Sequence, residues 1–270
     1  MCKKLKSRLL LLFFSLFAFS SLGAAQNTEQ GYCMPRTAPF YSAPPFQFRE
    51  NKMITILFET TPEVIQALVP KPLVPNPDNL MFIYIGNLNI EPPAAVSYKE
   101  AGIAVPVSFS ENPGNYAVYL YLDKTVPIVG GREIWGFPKK DADITFIKEG
   151  DKITAKVVRY GITLVNASLQ LTERVEPIPS QPNPPWFNLK LIPSVKKNAP
   201  PDVMQLTSTL VNSASKELHK GKATLEFSSS PSDPLGKIKV IKIVNATYTV
   251  NDFLLDYGDV LYDYLAEGKK

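Results

Sequence analysis

The chain has 270 residues, 45% of them apolar, with 29 Lys and Arg, 25 Asp and Glu, one histidine and two cysteines. Four of the basic residues and none of the acidic ones lie in the first 25 positions, so the remainder is formally neutral. This balance excludes the basic surface that nucleic-acid binding requires, and no nucleic-acid partner is expected. The length and apolar content fit one domain with one sizeable core.

The N-terminus has the pattern of a secretory signal peptide. Basic residues precede an apolar run that begins at Leu9, and the small residues from Gly23 to Ala25 follow it. Serines interrupt this run before it reaches the roughly 20 residues of a membrane-spanning helix, which favours cleavage after Ala25 over anchoring. The sequence therefore predicts a signal peptide over residues 1–25, a periplasmic or secreted protein, and no membrane contact after cleavage.

A leader over residues 26–44 is predicted to precede a single folded domain over residues 45–270. Cys33, in this leader, is the only cysteine that remains after cleavage, which excludes an internal disulfide. A lone thiol there could join two chains or react, but a tolerated thiol in a loose leader is the simpler interpretation.

Most of the domain has the alternating or continuous apolar pattern of strands, separated by proline-rich loops. Thr61 and Pro62 open one short helix, and the apolar spacing over Asp252–Leu265 predicts a second. These features predict a β-rich α+β fold of barrel or sandwich type with few short helices. The predicted strands are Met53–Phe58, Leu80–Ile90, Val105–Phe109, Tyr116–Leu122, Ile144–Ile147, Ile153–Val158, Ile162–Leu171, Phe187–Ile192, Ala223–Phe227 and Ile238–Val250.

The residue inventory excludes much of the usual catalytic chemistry. A Ser-His-Asp, Cys-His or zinc site would depend on His219 alone, and no nucleotide-binding motif is present. No metal and no cofactor are therefore predicted. Carboxylates, lysines and tyrosines remain, and they concentrate between Gly130 and Asp143, where Gly130-Gly131 is predicted to break the strand that ends near Ile128.

The lysine pair at positions 139 and 140 follows an apolar stretch. Pro138 keeps Phe137 out of the helical region, so an extended chain is predicted here. Neighbouring side chains of an extended chain point to opposite faces. One of Lys139 and Lys140 can therefore enter an apolar interior while the other stays in water, although a solvated lysine pair is the more ordinary interpretation on the residues alone.

The stretch GREIWGFPKK, from Gly131 to Lys140, resembles the core of the acetoacetate decarboxylase family. The segments AVPVSF, from Ala104, and YLYLD, from Tyr119, precede it in the order of that family, and the likeness extends from about Pro45 to Leu265. The resemblance implies an acetoacetate decarboxylase-like barrel or double-sheet fold and a homo-oligomer.

The resemblance also implies a function. Lys139 would condense with the carbonyl of a small keto-acid substrate, and the protonated imine would draw electrons as CO2 leaves. Acetoacetate would give acetone and CO2. Lys140 would be the flanking lysine of the pair.

Imine formation needs a neutral amine, whereas a free lysine side chain has a pKa of about 10.4. The resemblance implies that desolvation or a neighbouring cation supplies such an amine, as in this family. Because Lys140 is predicted to point away from Lys139, we expect the apolar neighbours Trp135 and Phe137 to matter more than its charge. Arg132 and Glu133, in the same motif, are expected in the substrate pocket.

Glu100 corresponds to a pocket glutamate of the family that positions the substrate or moves a proton. The alternative is a turn carboxylate beside Lys99.

Two positions depart from the family pattern. The substrate-binding arginine falls at Asn51, with Arg49 and Lys52 as displaced substitutes, and a second pocket glutamate falls near Ile83 or Tyr84, where no acid stands. An imine is thus better supported than acetoacetate itself. Aldol or dehydration chemistry through the same imine, or non-catalytic binding of small oxo compounds, remain alternatives.

Overall fold

The structure is a computed structural model that describes residues 31–177 and 183–266. The predicted signal peptide and the first residues of the leader lie outside the described residues. Within the described ranges, no helix has both the length and the apolar character needed to cross a membrane.

Strands make up most of the described chain, and two short helices interrupt them: α1 (Pro62–Leu68) and α2 (Thr125–Ile134). A 3₁₀ turn covers Leu235–Lys237. The strands are β1 (Phe46–Glu59), β2 (Val74–Pro75), β3 (Leu80–Ile90), β4 (Val96–Phe109), β5 (Asn112–Leu122), β6 (Lys139–Asp141), β7 (Asp143–Glu149), β8 (Lys152–Arg159), β9 (Ile162–Val175), β10 (Trp186–Ile192), β11 (Val203–Phe227), β12 (Ser229–Ser230), β13 (Asp233–Pro234) and β14 (Lys242–Asp263).

One sheet closes on itself through seven of these strands. Its order is β10-β5-β4-β3-β1-β14-β11, and β10 pairs with both β5 and β11 to complete the ring. The second half of the long strand β11 leaves the ring and continues into β9, β8 and β7. The β-rich α+β prediction is confirmed, with a double-sheet arrangement rather than a simple barrel.

Two apolar cores form on opposite faces of the ring wall because strand side chains alternate. The first core joins Ile54 and Ile56 of β1 to residues of β8 and β9 such as Val157 and Leu169. The second core, which we call the ring core, contains Phe48, Leu88, Tyr98, Ala117, Leu120, Leu122, Trp135, Phe137 and Leu255.

The helix predicted over Asp252–Leu265 is wrong, because this segment is the second half of β14. It pairs with β1 on one side (Phe46 with Leu255) and with β11 on the other (Gln205 with Asp263). Three register shifts interrupt the β11–β14 pairing. Such bulges break strict alternation, which accounts for apolar residues at helix-like spacing in a strand.

The sequence predicted that Gly130-Gly131 break a strand ending near Ile128. This prediction is wrong, because both glycines lie in helix α2. The unpaired first turn of a helix tolerates Pro127. The helix ends at Ile134, and Gly136, two residues later, has a φ of +81°. The amide of Gly136 donates to the Arg132 carbonyl, which is the bond of an αL cap, and the amide of Phe137 donates to the Gly131 carbonyl. The chain then enters β6, which carries the lysine pair.

Candidate active site

Lys139 enters the ring core from the first position of β6. This strand runs parallel to β5, with Lys139 beside Leu120 and Lys140 beside Tyr121. Leu120 belongs to the ring core and Tyr121 to the first core. The two lysines therefore occupy opposite faces of the sheet, as the sequence predicted, and 8% of the Lys139 side chain is exposed.

The Lys139 amine forms an ion pair with Glu100 of β4. Its Nζ lies 3.0 Å from Glu100 Oε2, and the Glu100 side chain is also almost fully buried. Glu100 Oε1 accepts a hydrogen bond of 2.5 Å from the Tyr84 hydroxyl. Glu100 Oε2 has no well-directed hydrogen bond, so its interaction with Lys139 is one of charge and proximity.

Gly102 makes room for Tyr84 in this arrangement. A Cβ atom at position 102 would lie 2.3 Å from the Tyr84 ring, so no larger residue fits without moving it. Burial, followed by the charge and hydrogen bond of Glu100, raises the pKa of Tyr84 well above its ordinary value. Tyr84 consequently stays protonated and remains a donor to Glu100.

Aromatic rings surround the Lys139 amine. Its Nζ lies 5.4 Å from the centre of the Phe137 ring and 5.9 Å from that of Tyr98. When the amine carries its proton, these ring faces add a cation–π attraction to the charge of Glu100.

Lys139 stands between two chambers. The inner chamber, of about 200 Å³, is lined from all seven strands of the ring and contains Glu100, Tyr84 and Phe137. The outer chamber, of about 480 Å³, lies toward α2 and the leader. Lys139, Phe48, Tyr98 and Leu255 line both chambers.

Charge is scarce on these walls. Among the described residues that line either chamber, Lys139 is the only basic one and Glu100 the only acidic one. A bound oxo compound would therefore meet one amine, one carboxyl group and a largely apolar surface.

Of the pocket residues predicted beside Lys139, Trp135 and Phe137 are placed as expected. Trp135 lines the outer chamber and Phe137 the inner one. Arg132 and Glu133 line neither, which corrects the prediction. The guanidinium of Arg132 donates to the Lys139 carbonyl at 3.1 Å, and Glu133 accepts a 2.5 Å hydrogen bond from the Tyr41 hydroxyl, because successive residues of α2 face different directions.

Lys140 also lies outside the chambers, contrary to its predicted place in the pocket. Its amine is 2.7 Å from Asp233 Oδ1, on the short β12–β13 hairpin. Arg159 reaches the other oxygen of Asp233 at 2.9 Å, and Tyr121 donates to Oδ1 at 3.0 Å. Lys140 therefore fixes β6 to the far side of the sheet, and its charge is neutralised there.

Arg49 and Asn51 do not form an anion site at Lys139, which corrects their predicted place in the pocket. Asn51 is fully buried, where it donates to the Asn251 carbonyl and accepts from the Asn89 amide. These bonds hold the register shift in β1. Arg49 pairs with Glu91 and Asp252 near the surface, and Lys52 is exposed.

The sequence did not predict three parts of the site: Tyr84, Tyr98 and the leader residues Pro39 to Ser42. Tyr84 stands where the family pattern led us to look for an acid, and its hydroxyl instead binds the acid at Glu100. Alternation along β3 and β4 could have indicated that both side chains face the ring. The leader residues, which line the outer chamber, carry no such signal.

Gly131 gives the Lys139 side chain its space, and Gly131→Ala should displace it. A Cβ atom there would lie 2.7 Å from Lys139 Cδ and Cε and 3.1 Å from Nζ. A displacement of about 1 Å can cost about 100-fold in rate, whereas alanine in a helix favours folding by about 1 kcal/mol. We therefore expect a loss in kcat of about 100-fold without a lower Tm.

The matched control is Gly130→Ala, whose Cβ would have the Tyr41 ring as its nearest neighbour among the described residues, at 3.3 Å. Steady-state kinetics and thermal unfolding of both variants check this prediction. Equal kcat values for the two would contradict it.

The buried amine, its carboxylate and the apolar chambers define a site that can form a Schiff base with an oxo compound. The family model described as "Acetoacetate decarboxylase (ADC)" matches residues 33–265. The chain therefore belongs to the acetoacetate decarboxylase family, and its relatives support a carboxy-lyase-like enzyme.

Individual relatives agree with this assignment. An acetoacetate decarboxylase of Burkholderia multivorans is 31% identical over 248 residues, covering 88% of this chain and 97% of that protein. The crystal structure of acetoacetate decarboxylase from Legionella pneumophila is similar with a TM-score of 0.77 and 28% identity, over 87% of this chain and 95% of that one. The enduracididine biosynthesis enzyme MppR, complexed with the condensation product of pyruvate and imidazole 4-carboxaldehyde, shares the fold with a TM-score of 0.75 and 17% identity, over 87% of this chain and 97% of that one.

Proposed function

We propose that the protein decarboxylates a β-keto acid through an imine on Lys139, with acetoacetate, which gives acetone and CO2, as the simplest substrate. The observation that carries this proposal is the pair formed by the buried Lys139 amine and Glu100 between two chambers. The family of the chain supports the reaction type.

The first step is the release of a neutral amine. Glu100 Oε2 accepts a proton from Lys139 Nζ across 3.0 Å, and the amine attacks the carbonyl carbon of the substrate. The Glu100 carboxyl group returns its proton to the leaving hydroxyl, so water leaves as the carbon–nitrogen double bond forms and the nitrogen keeps one proton and a positive charge. Tyr84 holds Glu100 in place through the hydrogen bond to Oε1.

In the second step, the bond between the α-carbon and the carboxylate breaks and CO2 leaves. The electron pair moves through the imine to its positively charged nitrogen and gives an enamine. A proton from solvent, relayed by Glu100, reaches the α-carbon and restores the imine, and water then releases the ketone and Lys139. Apolar walls assist because they solvate the departing carboxylate poorly while its charge is lost.

Imine-dependent aldol or dehydration chemistry is the second candidate. The observation in its favour is that no basic side chain other than Lys139 lines the described walls of the chambers, so nothing cationic is reserved for a substrate carboxylate. The condensation product bound to MppR gives a precedent on the same fold. Non-catalytic binding of oxo compounds is a third.

Two measurements on the protein without its first 25 residues distinguish these functions. CO2 and ketone release from acetoacetate and longer β-keto acids supports decarboxylation. Condensation of pyruvate with an aldehyde, without CO2 release, supports the second candidate. Absence of any imine on Lys139 with all of these compounds would overturn both enzyme functions and leave binding.

Export and assembly belong to the same proposal. The basic and apolar pattern of residues 1–25 supports export by a signal peptide to the periplasm or the medium, and the family likeness supports a homo-oligomer. N-terminal sequencing of the protein from its native host should begin at Gln26, and light scattering should give more than one chain. A retained Met1 would contradict export.

A further inference from the structure

We propose that the preferred substrates are β-oxo acids that carry an extended apolar chain, which the outer chamber binds. The inference rests on the proposed function and adds the class of substrate to it. The observation that supports it is the difference in volume between the two chambers that meet at Lys139, since the outer one is more than twice as large as the inner one.

The outer chamber has an apolar wall. Ring-core residues supply its floor, and the leader and α2 supply its sides. Neither an acidic nor a basic side chain other than Lys139 itself belongs to its described lining. Such a surface binds hydrocarbon through burial and offers little to a carboxylate. The ring-core and neighbouring apolar residues that form it are Phe46, Phe48, Ile90, Val96, Trp135 and Leu255.

The inner chamber differs because neutral polar groups line it. Asn183, Ser213 and Asn251 all face it. Asn251 is 9% exposed, and its Oδ1 atom has no hydrogen-bond partner in the described part of the chain. This oxygen is an acceptor, so a substrate carboxylate takes its hydrogen bonds from donors: the Ser213 hydroxyl and the Asn251 amide nitrogen, whose bond to Met53 Sδ is a weak one of 3.9 Å. These donors make the inner chamber the place for the short acid arm.

The position of the amine then fixes the orientation of the substrate. A carbonyl carbon bonded to Lys139 Nζ carries two substituents, and one chamber is open to each. The acid arm enters the inner chamber, where Glu100 holds the lysine proton while the amine attacks and then gives it to the leaving water. The chain enters the outer chamber, and loss of CO2 leaves a methyl ketone that retains this chain.

The mouth of the outer chamber limits the length of the chain. Phe40 and Val126, 45% and 38% exposed, are the large apolar side chains at this mouth, and Pro39 and Pro93 are exposed beside them. Tyr41 closes the wall between Phe40 and Val126, with its ring against Gly130 and its hydroxyl on Glu133. Carbon atoms added within the chamber gain burial, whereas those beyond Phe40 and Val126 return to water.

The test is a series of straight-chain β-oxo acids from acetoacetate to β-oxodecanoate, with CO2 release as the readout. A methylene group transferred from water to an apolar site contributes about 0.8 kcal/mol, so kcat/KM should rise about fourfold per carbon atom until the chain reaches the mouth. Val126→Trp should lower kcat/KM for the long acids at least about tenfold more than for acetoacetate.

Thr125→Trp is the matched control, since it adds the same side chain one residue earlier on α2, outside the chamber lining. It should leave the whole series unchanged. Borohydride trapping with acetoacetate runs in parallel. A flat or falling chain-length series with an adduct on Lys139 would overturn this inference and leave the proposed function intact, whereas no adduct with any acid would overturn the proposed function itself.

Discussion

Lys139→Ala should lower kcat for decarboxylation by at least about 10⁴-fold, because loss of a covalent nucleophile removes the whole reaction route and not one contact. The fold should survive, since the amine contributes no hydrogen bond to the ring beyond its pairing with Glu100. Both Lys139→Ala and Lys139→Met leave Glu100 without its partner, which costs stability, but Lys139→Met keeps an apolar chain of similar shape and avoids a cavity as well. CO2 release and circular dichroism of both variants measure the effect.

Lys140→Ala is the matched control for Lys139. It removes the adjacent amine, which faces Asp233 on the other side of the sheet. We expect imine formation to survive with reduced stability. We attribute the activation of the Lys139 amine to burial and not to the charge of Lys140. This would be wrong if Lys140→Ala abolished the chemistry as completely as Lys139→Ala.

Asp233→Ala should destabilise the protein by about 3–5 kcal/mol, the usual cost of leaving buried cations without their counter-ion. Asp233 is fully buried and binds Lys140, Arg159, Tyr121 and Ser230. It therefore joins the β12–β13 hairpin to β5, β6 and β8. Urea denaturation gives the free energy of unfolding.

The control for this prediction is Asp141→Ala. Asp141 also pairs with Arg159, but its side chain is 69% exposed, and exposed pairs contribute at most about 1 kcal/mol. Similar losses from Asp233→Ala and Asp141→Ala would show that the buried cluster has no special weight.

The same cluster predicts how stability depends on pH. Burial alone would raise the pKa of Asp233, but hydrogen bonds from Lys140, Arg159 and Tyr121 outweigh it and lower the pKa to about 2. A lowered pKa in the folded state stabilises the protein above the ordinary value near 4, and this stability is lost as pH falls toward 2. The difference in unfolding free energy between wild type and Asp233→Asn should shrink over that interval.

The sequence predicted the parts of the fold whose pattern is local. The limits of β3 agree with Leu80–Ile90 as predicted, and α1 follows its proline-containing start. The second half of β14 and most of β11 were missed or assigned to a helix, because bulges displace their side chains from strict alternation. Pairing with neighbouring strands, which no local pattern reveals, decides their conformation.

Helix α2 failed to be predicted for a related reason. Two adjacent glycines in a helix each cost about 1 kcal/mol relative to alanine, so a break was the expected reading of Gly130 and Gly131. Their packing compensates: Gly130 lies against the Tyr41 ring and Gly131 against the Lys139 side chain. Glycine at these two positions leaves room for the side chains of Tyr41 and Lys139.

At the site, the family motif predicted Lys139 and the likeness around position 100 predicted Glu100, and the fold brings their side chains within 3.0 Å of each other. Sequence neighbours of Lys139 were less informative, since Arg132, Glu133 and Lys140 face away from the chambers. The partners that complete the site, Tyr84 and the leader residues, come from distant segments. Their contribution depends on closure of the ring.

The most direct test of imine chemistry at Lys139 is the chemical identity of the trapped adduct. The protein is incubated with acetoacetate, reduced with borohydride and digested, and the modified peptide is sequenced by mass spectrometry. The mechanism predicts an isopropyl group, the reduced imine of acetone, on Lys139 and on no other lysine, with release of CO2. Steady production of acetone with an unmodified Lys139, or with the adduct on Lys140, would contradict it.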